Sequence, residues 1–439
     1  MLRFLLLLAF SFNVLAENWA NWRGPNWNGS IDAKDLPVKF SPTEKVKWKA
    51  DLGGNGASTP IIVGKFLFTT AANADKGQLL AICIERSTGK IIWSKDAGSG
   101  YQPNGDGTKA ALGSRSNYAS PSPISDGKTA IFFFGNGDLV AYNVKGNEKW
   151  RRNIQKEEGD FTFQWTFSSS PVLLNGKVYL AVLQRDEIVH GRGKDGNESF
   201  ILCFDLESGN KDWKVIRKSP AQKESLESFG TIIPSVINGK TQLVIAGGDI
   251  LTGHEPETGK ELWRWGTWNK NHREKFWRLV TSPTQGPDNI FLVCAPSKEP
   301  VYAVQIDKYN KPSLLWKSAE RSNVTSDVPT PLYYMNYYFV LSDVRKKLSK
   351  VNPKTGEVLW EIDTPGLSKY RGSPLGADGK LYFMNHGGEV VVIDANDGKM
   401  LAKANAMAGD DDTHARASII SDGEKIYVRT ETKIFCIGN

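Results

Sequence analysis

Short apolar runs alternate with turn residues along the whole chain. Asp, Asn, Gly and Pro separate these runs at short intervals. No stretch of about 15 residues follows the apolar period of an amphipathic helix, in which every third or fourth residue faces the core. Apolar runs of this length, bounded by turn signals, are typical of β-strands. The pattern therefore predicts an all-β protein built from many short strands.

Two signatures repeat in this pattern and mark one structural unit. In the first, an apolar residue leads through a Thr-Gly-Lys or similar turn to a Trp. Its copies are Cys83–Trp93, Cys203–Trp213, Gly253–Trp263 and Lys350–Trp360, with looser copies ending at Trp150, Trp316 and Ala402. In the second, which precedes most copies, a Ser/Thr-Pro step leads through a Gly-Lys or similar turn into an apolar run. Two tight turns divide each unit into four strands, and Gly supplies the positive φ that such turns need.

These repeated units predict an eight-bladed β-propeller, because four antiparallel strands recurring at roughly 40 to 60 residues describe a propeller blade. The predicted blade starts are Pro60, Pro123, Pro171, Pro234, Pro283, Pro331, Pro374 and Ile419. One blade cannot bury both of its faces, so the repeated Trp is expected to fill the wedge between neighbouring blades. The eighth unit supplies only three strands. Glu44–Leu52, which contains Trp48, is predicted to complete it and close the ring.

The N-terminus has the pattern of a cleavable export signal. Arg3 precedes the apolar run Phe4–Leu15, and the small residue Ala16 follows it. The run is short for a membrane span, no Cys follows it to bear a lipid anchor, and no second apolar stretch is long enough to cross a bilayer. We therefore expect a periplasmic or secreted protein. The predicted organisation is a signal peptide at 1–16, an N-terminal extension at 17–43 and a single propeller at 44–439.

Charge and cysteine content change this picture little. The net charge of +7 comes without a Lys/Arg run, so it does not by itself favour a nucleic-acid partner. Cys83, Cys203 and Cys436 occupy one equivalent position in three different repeats, which is too far apart for a disulfide. Cys294 lies in another apolar run. All four cysteines are predicted to be small buried apolar residues.

The Trp motif resembles the tryptophan-docking repeat of the PQQ-like propellers, a family named after quinoprotein alcohol dehydrogenases and shared by outer-membrane assembly factor lipoproteins. The head Trp19–Gly29 and the stretch Ser114–Pro123 resemble a secreted bacterial branch of mostly unassigned function. The resemblance implies an exported propeller. Quinoproteins of this fold typically hold PQQ under a disulfide between adjacent cysteines, and this sequence has no Cys-Cys and no recognisable match to their Ca²⁺ ligands and catalytic Asp. We therefore predict no cofactor, and disfavour the PQQ that the resemblance would allow.

Other stretches with ligand-type side chains are weak candidates for a site. Asn104, Asp106 and Thr108 alternate as in a Ca²⁺ loop, but Arg115 stands where an EF-hand needs a bidentate Glu. Asp410–Asp412 offer carboxylates to a hard cation, although adjacent residues on an extended chain point apart. Both stretches are predicted to be surface loops. The histidines lack zinc spacing, so we predict no metal site.

The run Trp263–Arg278 interleaves aromatic and basic residues. Such a run can stack on sugars or bases, or it can be a long interblade loop that packs its Trp residues on a blade, which is the interpretation we favour. No arrangement of Ser, Cys and His suggests a covalent nucleophile. Whether the protein is an enzyme therefore stays open.

The predicted working site is the mouth of the central channel. The first strand of each blade lines the axis, so residues at a fixed distance before the blade starts should form rings around one opening. Cations held there can receive an anionic ligand or pair with local carboxylates such as Asp327. Tyr118 or Trp165 would supply a stacking surface. The predicted ligand-binding residues are Arg115, Asn117, Tyr118, Trp165, Arg278, Lys369, Arg371, His414 and Arg416.

The sequence thus predicts an exported ligand-binding or protein-interaction scaffold. The expected partner is an anionic small molecule, an acidic glycan or an envelope protein, and the protein is expected to be a monomer that binds no nucleic acid. The alternative function is a divergent quinoprotein (PQQ-dependent) dehydrogenase or a carbohydrate-active enzyme.

Overall fold

Nearly all of the regular structure is β-strand. The computed structural model describes residues 18–99, 101, 117–266, 268–296, 298–409 and 414–439. Within these ranges, strands β1 to β32 form eight four-stranded antiparallel sheets. Seven sheets take four consecutive strands each, whereas the eighth combines the last three strands with the first. The predicted eight-bladed β-propeller is confirmed.

The first four blades follow one another from residue 61 to residue 266. Blade 1 contains β2 (Ile61–Val63), β3 (Phe66–Asn73), β4 (Gln78–Glu85) and β5 (Ile91–Asp96). Blade 2 contains β6 (Ile124–Ser125), β7 (Thr129–Phe133), β8 (Asp138–Asn143) and β9 (Glu148–Asn153). Blade 3 contains β10 (Val172–Leu174), β11 (Lys177–Val182), β12 (Phe200–Asp205) and β13 (Lys211–Ile216). Blade 4 contains β14 (Ile233–Ile237), β15 (Lys240–Gly247), β16 (Ile250–His254) and β17 (Glu261–Gly266).

The other four blades complete the ring. Blade 5 contains β18 (Thr284–Gln285), β19 (Ile290–Cys294), β20 (Val301–Ile306) and β21 (Pro312–Lys317). Blade 6 contains β22 (Leu332–Tyr334), β23 (Tyr337–Ser342), β24 (Lys347–Val351) and β25 (Val358–Asp363). Blade 7 contains β26 (Leu375–Ala377), β27 (Lys380–Met384), β28 (Glu389–Asp394) and β29 (Met400–Ala406). Blade 8 contains β30 (Ile420–Ser421), β31 (Ile426–Arg429), β32 (Lys433–Ile437) and β1 (Val46–Asp51).

Helical segments are short and lie between strands. The α-helix α1 covers Ile154–Glu158 after blade 2. Turns of 3-10 helix cover Lys223–Leu226, Lys270–His272 and Pro287–Asn289. No helix among the described residues is long and apolar enough to span a membrane.

Blade 4 departs from the predicted blade starts. In the other seven blades the first strand begins one residue after the predicted start. In blade 4 Pro234 lies inside β14, and Ile232 is the residue equivalent to the other prolines. A proline is tolerated at this position because β14 is the edge strand of its sheet, where an N–H is not required for the ladder. The start of blade 4 is therefore two residues earlier than predicted.

The repeated Trp docks onto the next blade, as predicted. The Trp93 indole donates a hydrogen bond from Nε1 to the Val144 carbonyl of blade 2 at 3.0 Å, and its ring lies 2.8 Å from where a Cβ on Gly146 would stand. The turn glycine thus combines positive φ with close approach to a ring. The same pairing joins Trp48 to Gly89, Trp150 to Gly209, Trp213 to Gly259, Trp316 to Gly356 and Trp360 to Gly398.

Ring closure also follows the prediction. Strand β1 pairs antiparallel with β32, with Trp48 opposite Cys436. Across the seam between blades 8 and 1, the Trp48 indole donates to the Arg86 carbonyl at 2.8 Å, and the Arg86 guanidinium lies 2.7 Å from Asp422. The buried Arg429 guanidinium donates to the Thr70 carbonyl at 2.7 Å. These contacts join the two ends of the repeat array.

The N-terminal segment crosses one end of the central channel and pairs there with the first strands of two blades. Trp19 pairs with Ile62 of blade 1, whereas Ser30 pairs with Gly376 of blade 7. Between them Arg23 is 2% exposed and donates to the Pro374 carbonyl at 2.9 Å. Burial lowers the pKa of Arg23 to about 9. The segment therefore closes one end of the channel.

The cysteines and the aromatic loop behave as expected. All four cysteines are free and buried. Burial raises the pKa of the Cys83 and Cys203 thiols to about 12, well above that of a free thiol, so the thiolate form is disfavoured. In the Trp263–Arg278 run, Trp268 is 4% exposed and packs against Trp265, which confirms an interblade loop that packs on its blade. The predicted loops at 104–108 and 410–412, and the predicted signal peptide, lie outside the described residues.

Candidate ligand site in the central channel

A closed ring of hydroxyl groups surrounds the axis. It lies at the Ser/Thr of each Ser/Thr-Pro step or its equivalent, and each hydroxyl accepts the backbone N–H of the ring residue in the preceding blade at 2.7–3.1 Å. We call this ring the hydroxyl collar. Its members are Thr59, Ser122, Ser170, Thr231, Ser282, Thr330, Ser373 and Ser418. The collar explains the second sequence signature, because the hydroxyl joins neighbouring blades and the next residue opens the inner strand.

Above the collar the channel widens into a cup with a polar and an apolar side. Two residues before each collar residue, the chain lines the cup wall. These wall residues are Ala57, Ser120, Ser168, Phe229, Val280, Val328, Arg371 and Arg416. Trp165 and Arg278 also line the cup, Trp22 of the N-terminal segment lies at its closed end, and the cavity volume is about 200 Å³. Blades 7 and 8 therefore contribute the wall cations Arg371 and Arg416, whereas blades 4 to 6 contribute apolar wall residues, with Arg278 just before Val280.

Arg278 and Arg371 are held only loosely by carboxylates. The Arg278 guanidinium lies 3.7 Å from Glu224 and 3.9 Å from Asp327. The Arg371 Nε lies 3.9 Å from Asp343 and has no hydrogen-bond partner among the described residues. These separations exceed hydrogen-bond distance, so both guanidinium groups retain donors for a ligand.

Buried carboxyl groups stand behind the cup wall. Burial, reinforced by the nearby Asp327, raises the pKa of Asp343 to about 6. Burial raises the pKa of Glu227 to about 7, against the opposing effect of its ion pair with Arg185. Both side chains are inaccessible to solvent, at 1% and 0% exposed. Neither side chain lines the cavity.

A cationic cluster lies at the rim above blades 7 and 8. The His386 and His414 rings are 5.9 Å apart between centroids. Burial, together with Arg416, Arg371, His414 and Lys369, lowers the pKa of His386 to about 3. His386 is therefore neutral at physiological pH, and the surrounding potential is positive.

The structure brings four of the predicted site residues into the cup, namely Trp165, Arg278, Arg371 and Arg416. Lys369 is exposed, and its carbonyl accepts the His386 N–H at 2.8 Å, so it lies at the rim with His414. Whether any of these residues binds a ligand stays a prediction.

Tyr118 and Asn117, two further predicted site residues, do not line the cup. Tyr118 is 3% exposed and packs edge-on against Tyr101, with 5.4 Å between ring centroids. The Asn117 side chain accepts the Ala119 N–H at 2.9 Å, within a turn. Arg115 lies outside the described residues. The ring of Tyr118 is thus buried against Tyr101, and a role for it in ligand binding stays a prediction.

Sequence reasoning missed the apolar side of the cup and its closed end. The misplaced start of blade 4 hid Phe229, which shares its register with Arg371 and Arg416. Aligning the eight Ser/Thr positions instead of the prolines would have found it. Trp22 carried no comparable signal, because it comes before the repeats.

The chain matches the profile of the family described as outer membrane protein assembly factor BamB, over residues 33–214, 161–334 and 297–437. The chain belongs to the PQQ-like propeller family. The predicted resemblance is confirmed.

Curated relatives of this PQQ-like propeller are dehydrogenase subunits. The dehydrogenase subunit of the quinone alcohol dehydrogenase of Gluconobacter oxydans (strain 621H) is 28% identical over 175 residues, 39% of this chain and 20% of the relative. The corresponding subunit of Komagataeibacter europaeus is 25% identical over 39% of this chain and 21% of the relative. The match thus spans about a fifth of the length of these curated relatives.

Solved structures share the fold of this PQQ-like propeller. A europium-containing methanol dehydrogenase superimposes with a TM-score of 0.67 at 12% identity, over 94% of this chain and 89% of that one. Quinohemoprotein alcohol dehydrogenase from Comamonas testosteroni gives 0.64 at 12% identity, over 97% and 81%. BamB from Moraxella catarrhalis gives 0.54 at 14% identity, over 83% and 94%. At these identities the likeness is one of fold.

Proposed function

We propose that this PQQ-like propeller is a ligand-binding protein that holds a small organic anion in the central cup. The observation that supports this most directly is the pair Arg278 and Arg371, which line a cavity while the nearest carboxylates among the described residues lie 3.7–3.9 Å away. Cations around a narrow concave site repel one another, and an anionic ligand relieves that repulsion. The apolar wall at Phe229, Val280 and Val328 suits a ligand with an apolar or aromatic body.

The second candidate is a quinone-dependent dehydrogenase, which the names of the curated relatives favour. PQQ is an acidic aromatic quinone, and the cup fits that chemistry: Arg278 and Arg371 would hold acidic groups, and Trp165 would contact the ring system. Bound PQQ would supply a two-electron acceptor. In the described part of the chain no group of three metal-ligating side chains comes together. The expectation of no cofactor runs against the relatives, and PQQ binding has to be measured.

One experiment separates these candidates. Binding of PQQ, benzene-1,3,5-tricarboxylate and an oligoglucuronate is measured by calorimetry for the wild type and for Arg278→Gln/Arg371→Gln/Arg416→Gln. The matched control is Arg273→Gln/Lys275→Gln/Lys298→Gln, which removes the same charge from exposed positions. We expect the cup variant to lose at least tenfold in affinity for an anionic probe at an unchanged melting temperature, because charge-assisted hydrogen bonds are lost. The control variant should bind like the wild type.

The results decide between binding and turnover. Saturable dye reduction with PQQ and an alcohol, lost in the cup variant, would establish the dehydrogenase. Binding without turnover supports the ligand-binding function. Absence of wild-type binding to every anion, or equal losses in the cup and control variants, would refute the cup as an anion site. The predicted export of the protein rests on residues 1–16 and stays a prediction.

A further inference from the structure

The hydroxyl collar has donors that the protein does not use. A hydroxyl offers one proton and two lone pairs. Each collar oxygen accepts one backbone N–H, and each proton lacks an acceptor within hydrogen-bond distance in the part of the chain that the structure describes. The oxygens of the collar are thus already hydrogen-bonded to the backbone, whereas its hydroxyl protons are available to a ligand.

These donors converge on one cavity. Every collar member except Ser282 lines the cup. The ring of hydrogen bonds fixes the oxygens in place, so little reorganisation is needed when a ligand arrives. Fixed donors that surround one point are the arrangement that stabilises an oxyanion. Backbone N–H groups and hydroxyls bind carboxylate, sulfate and phosphate oxygens in the same way.

The surrounding charge indicates where in the collar a negative group would sit. Arg371 and Arg416 lie two residues before Ser373 and Ser418, on blades 7 and 8. On the opposite wall, Phe229 offers no hydrogen bond to an anion. Two cations and two collar hydroxyls therefore lie together on the side of blades 7 and 8, whereas Arg278 precedes Val280 on the side of blade 5.

We infer that the hydroxyl collar is a subsite for one oxyanion group of the ligand, a carboxylate, sulfate or phosphate, bound deep in the cup beside Ser373 and Ser418. This inference rests on the proposed binding function and adds to it the depth and orientation of the ligand. The negative group points down the axis toward Trp22, and the apolar body of the ligand rests on the wall of blades 4 to 6.

Single hydroxyl deletions test the inference with an internal control. Ser373→Ala and Ser418→Ala each remove a collar hydroxyl that lines the cup. Ser282→Ala also removes a collar hydroxyl, the one that accepts the Thr231 N–H at 2.7 Å, but Ser282 does not line the cup. Binding of benzene-1,3,5-tricarboxylate, inorganic sulfate and inorganic phosphate is measured for each variant. We expect Ser373→Ala and Ser418→Ala to weaken binding about tenfold and Ser282→Ala less than twofold.

Two further measurements keep the result unambiguous. Ser373→Thr keeps the hydroxyl and should bind within twofold of the wild type, which a purely steric role would not produce. Thermal unfolding of the same samples measures how much stability is lost with one collar hydrogen bond. Ser282→Ala loses such a bond like the other two alanine variants, so it controls for that loss. The strongest of the three probes identifies the oxyanion class.

The outcomes separate this inference from the proposed function. If the wild type binds and the triple arginine variant does not, while Ser373→Ala and Ser418→Ala behave like Ser282→Ala, the ligand is held at the rim and the collar subsite is wrong. If the wild type binds none of the anions, the proposed function itself fails. Loss of binding in Ser373→Ala and Ser418→Ala alone, with Ser282→Ala intact, supports the collar.

Discussion

Gly89 meets two requirements that only glycine satisfies. Its φ is +75°, and a Cβ there would stand 2.5 Å from the Trp48 ring. Gly89→Ala should therefore lower the free energy of unfolding by about 2–4 kcal/mol, from backbone strain and overpacking together. Urea denaturation of the purified protein measures this.

Gly176 provides the matched control for Gly89. Its φ is +74°, and no heavy atom lies within 4 Å of the Cβ position. Gly176→Ala should lower the free energy of unfolding by roughly 1 kcal/mol, from backbone strain alone. Equal losses for the two variants would show that contact with Trp48 contributes nothing.

Asp343 makes the stability of the protein depend on pH. Its pKa is raised to about 6 by burial first, and then by Asp327, so the native state binds a proton that the unfolded chain has already released. Where the native state binds more protons, stability falls as pH rises. The contribution from Asp343 should therefore decline between about pH 4 and pH 6 and stay low above that range.

Asp343→Asn removes this titration. Asparagine keeps an acceptor for the Asp327 N–H, which Asp343 now bonds at 3.0 Å. At pH 7.5 the variant should gain roughly 1–3 kcal/mol in the free energy of unfolding, and the gain should vanish near pH 4. A gain of equal size at both pH values would contradict the raised pKa.

Individual residues were predicted unevenly from the sequence. The repeated Trp could be assigned to the core because one blade cannot bury both of its faces and needs a large side chain in the wedge to its neighbour. Tyr118 could not be placed, because its register before blade 2 puts it near the mouth whereas its ring turns into a core beside Tyr101. Side-chain direction in a loop depends on neighbours that only the folded ring brings together.

Strand β1 is the element on which ring closure depends. A chain that begins after Leu52 would leave β32 with an unpaired edge and the space occupied by Trp48 empty. We expect it to aggregate or to lose several kcal/mol, as for the deletion of a buried aromatic residue together with its strand. Thermal melting and size-exclusion chromatography measure both effects.

The closing strand has to be distinguished from the segment that precedes it. A chain that begins at Thr43 keeps β1 and lacks the residues that cross the channel. It should keep the oligomeric state of the full chain and melt above the chain that begins after Leu52. Identical behaviour of the two truncations, or wild-type melting of the shorter one, would refute closure through β1.

Elements that repeat were predictable, and elements that occur once were not. Seven blade starts and the closing strand follow from a motif that recurs at fixed spacing. Blade 4 was misplaced because Pro234 occurs inside an edge strand, where a proline is allowed. The helix α1 at Ile154–Glu158 escaped notice since five residues are too few to establish a period.

On the scale of the whole molecule, the site is a property of the ring and not of any blade. Each blade contributes one wall residue and one collar hydroxyl, so cationic and apolar sides arise only when blades 4 to 8 are arranged around the axis. Once the Ser/Thr position of each blade is aligned, the sequence alone identifies the collar hydroxyls and the wall residues. It could not show that Trp22 closes the cup, because residues before the first blade have no repeat to align with.

The pairing of β1 with β32 also sets the order in which the protein is completed. Strand β1 precedes all the other strands and β32 follows them, so blade 8 cannot form until the chain has been synthesised through β32. Contacts between such distant residues are slow to form, because loop-closure entropy must be overcome first. Until then the collar lacks its last hydrogen bonds, from Ser373 to Ser418 and from Ser418 to Thr59, and the channel is open along one side. Nascent chains are therefore expected to stay sensitive to proteases until β32 has been synthesised and has paired with β1.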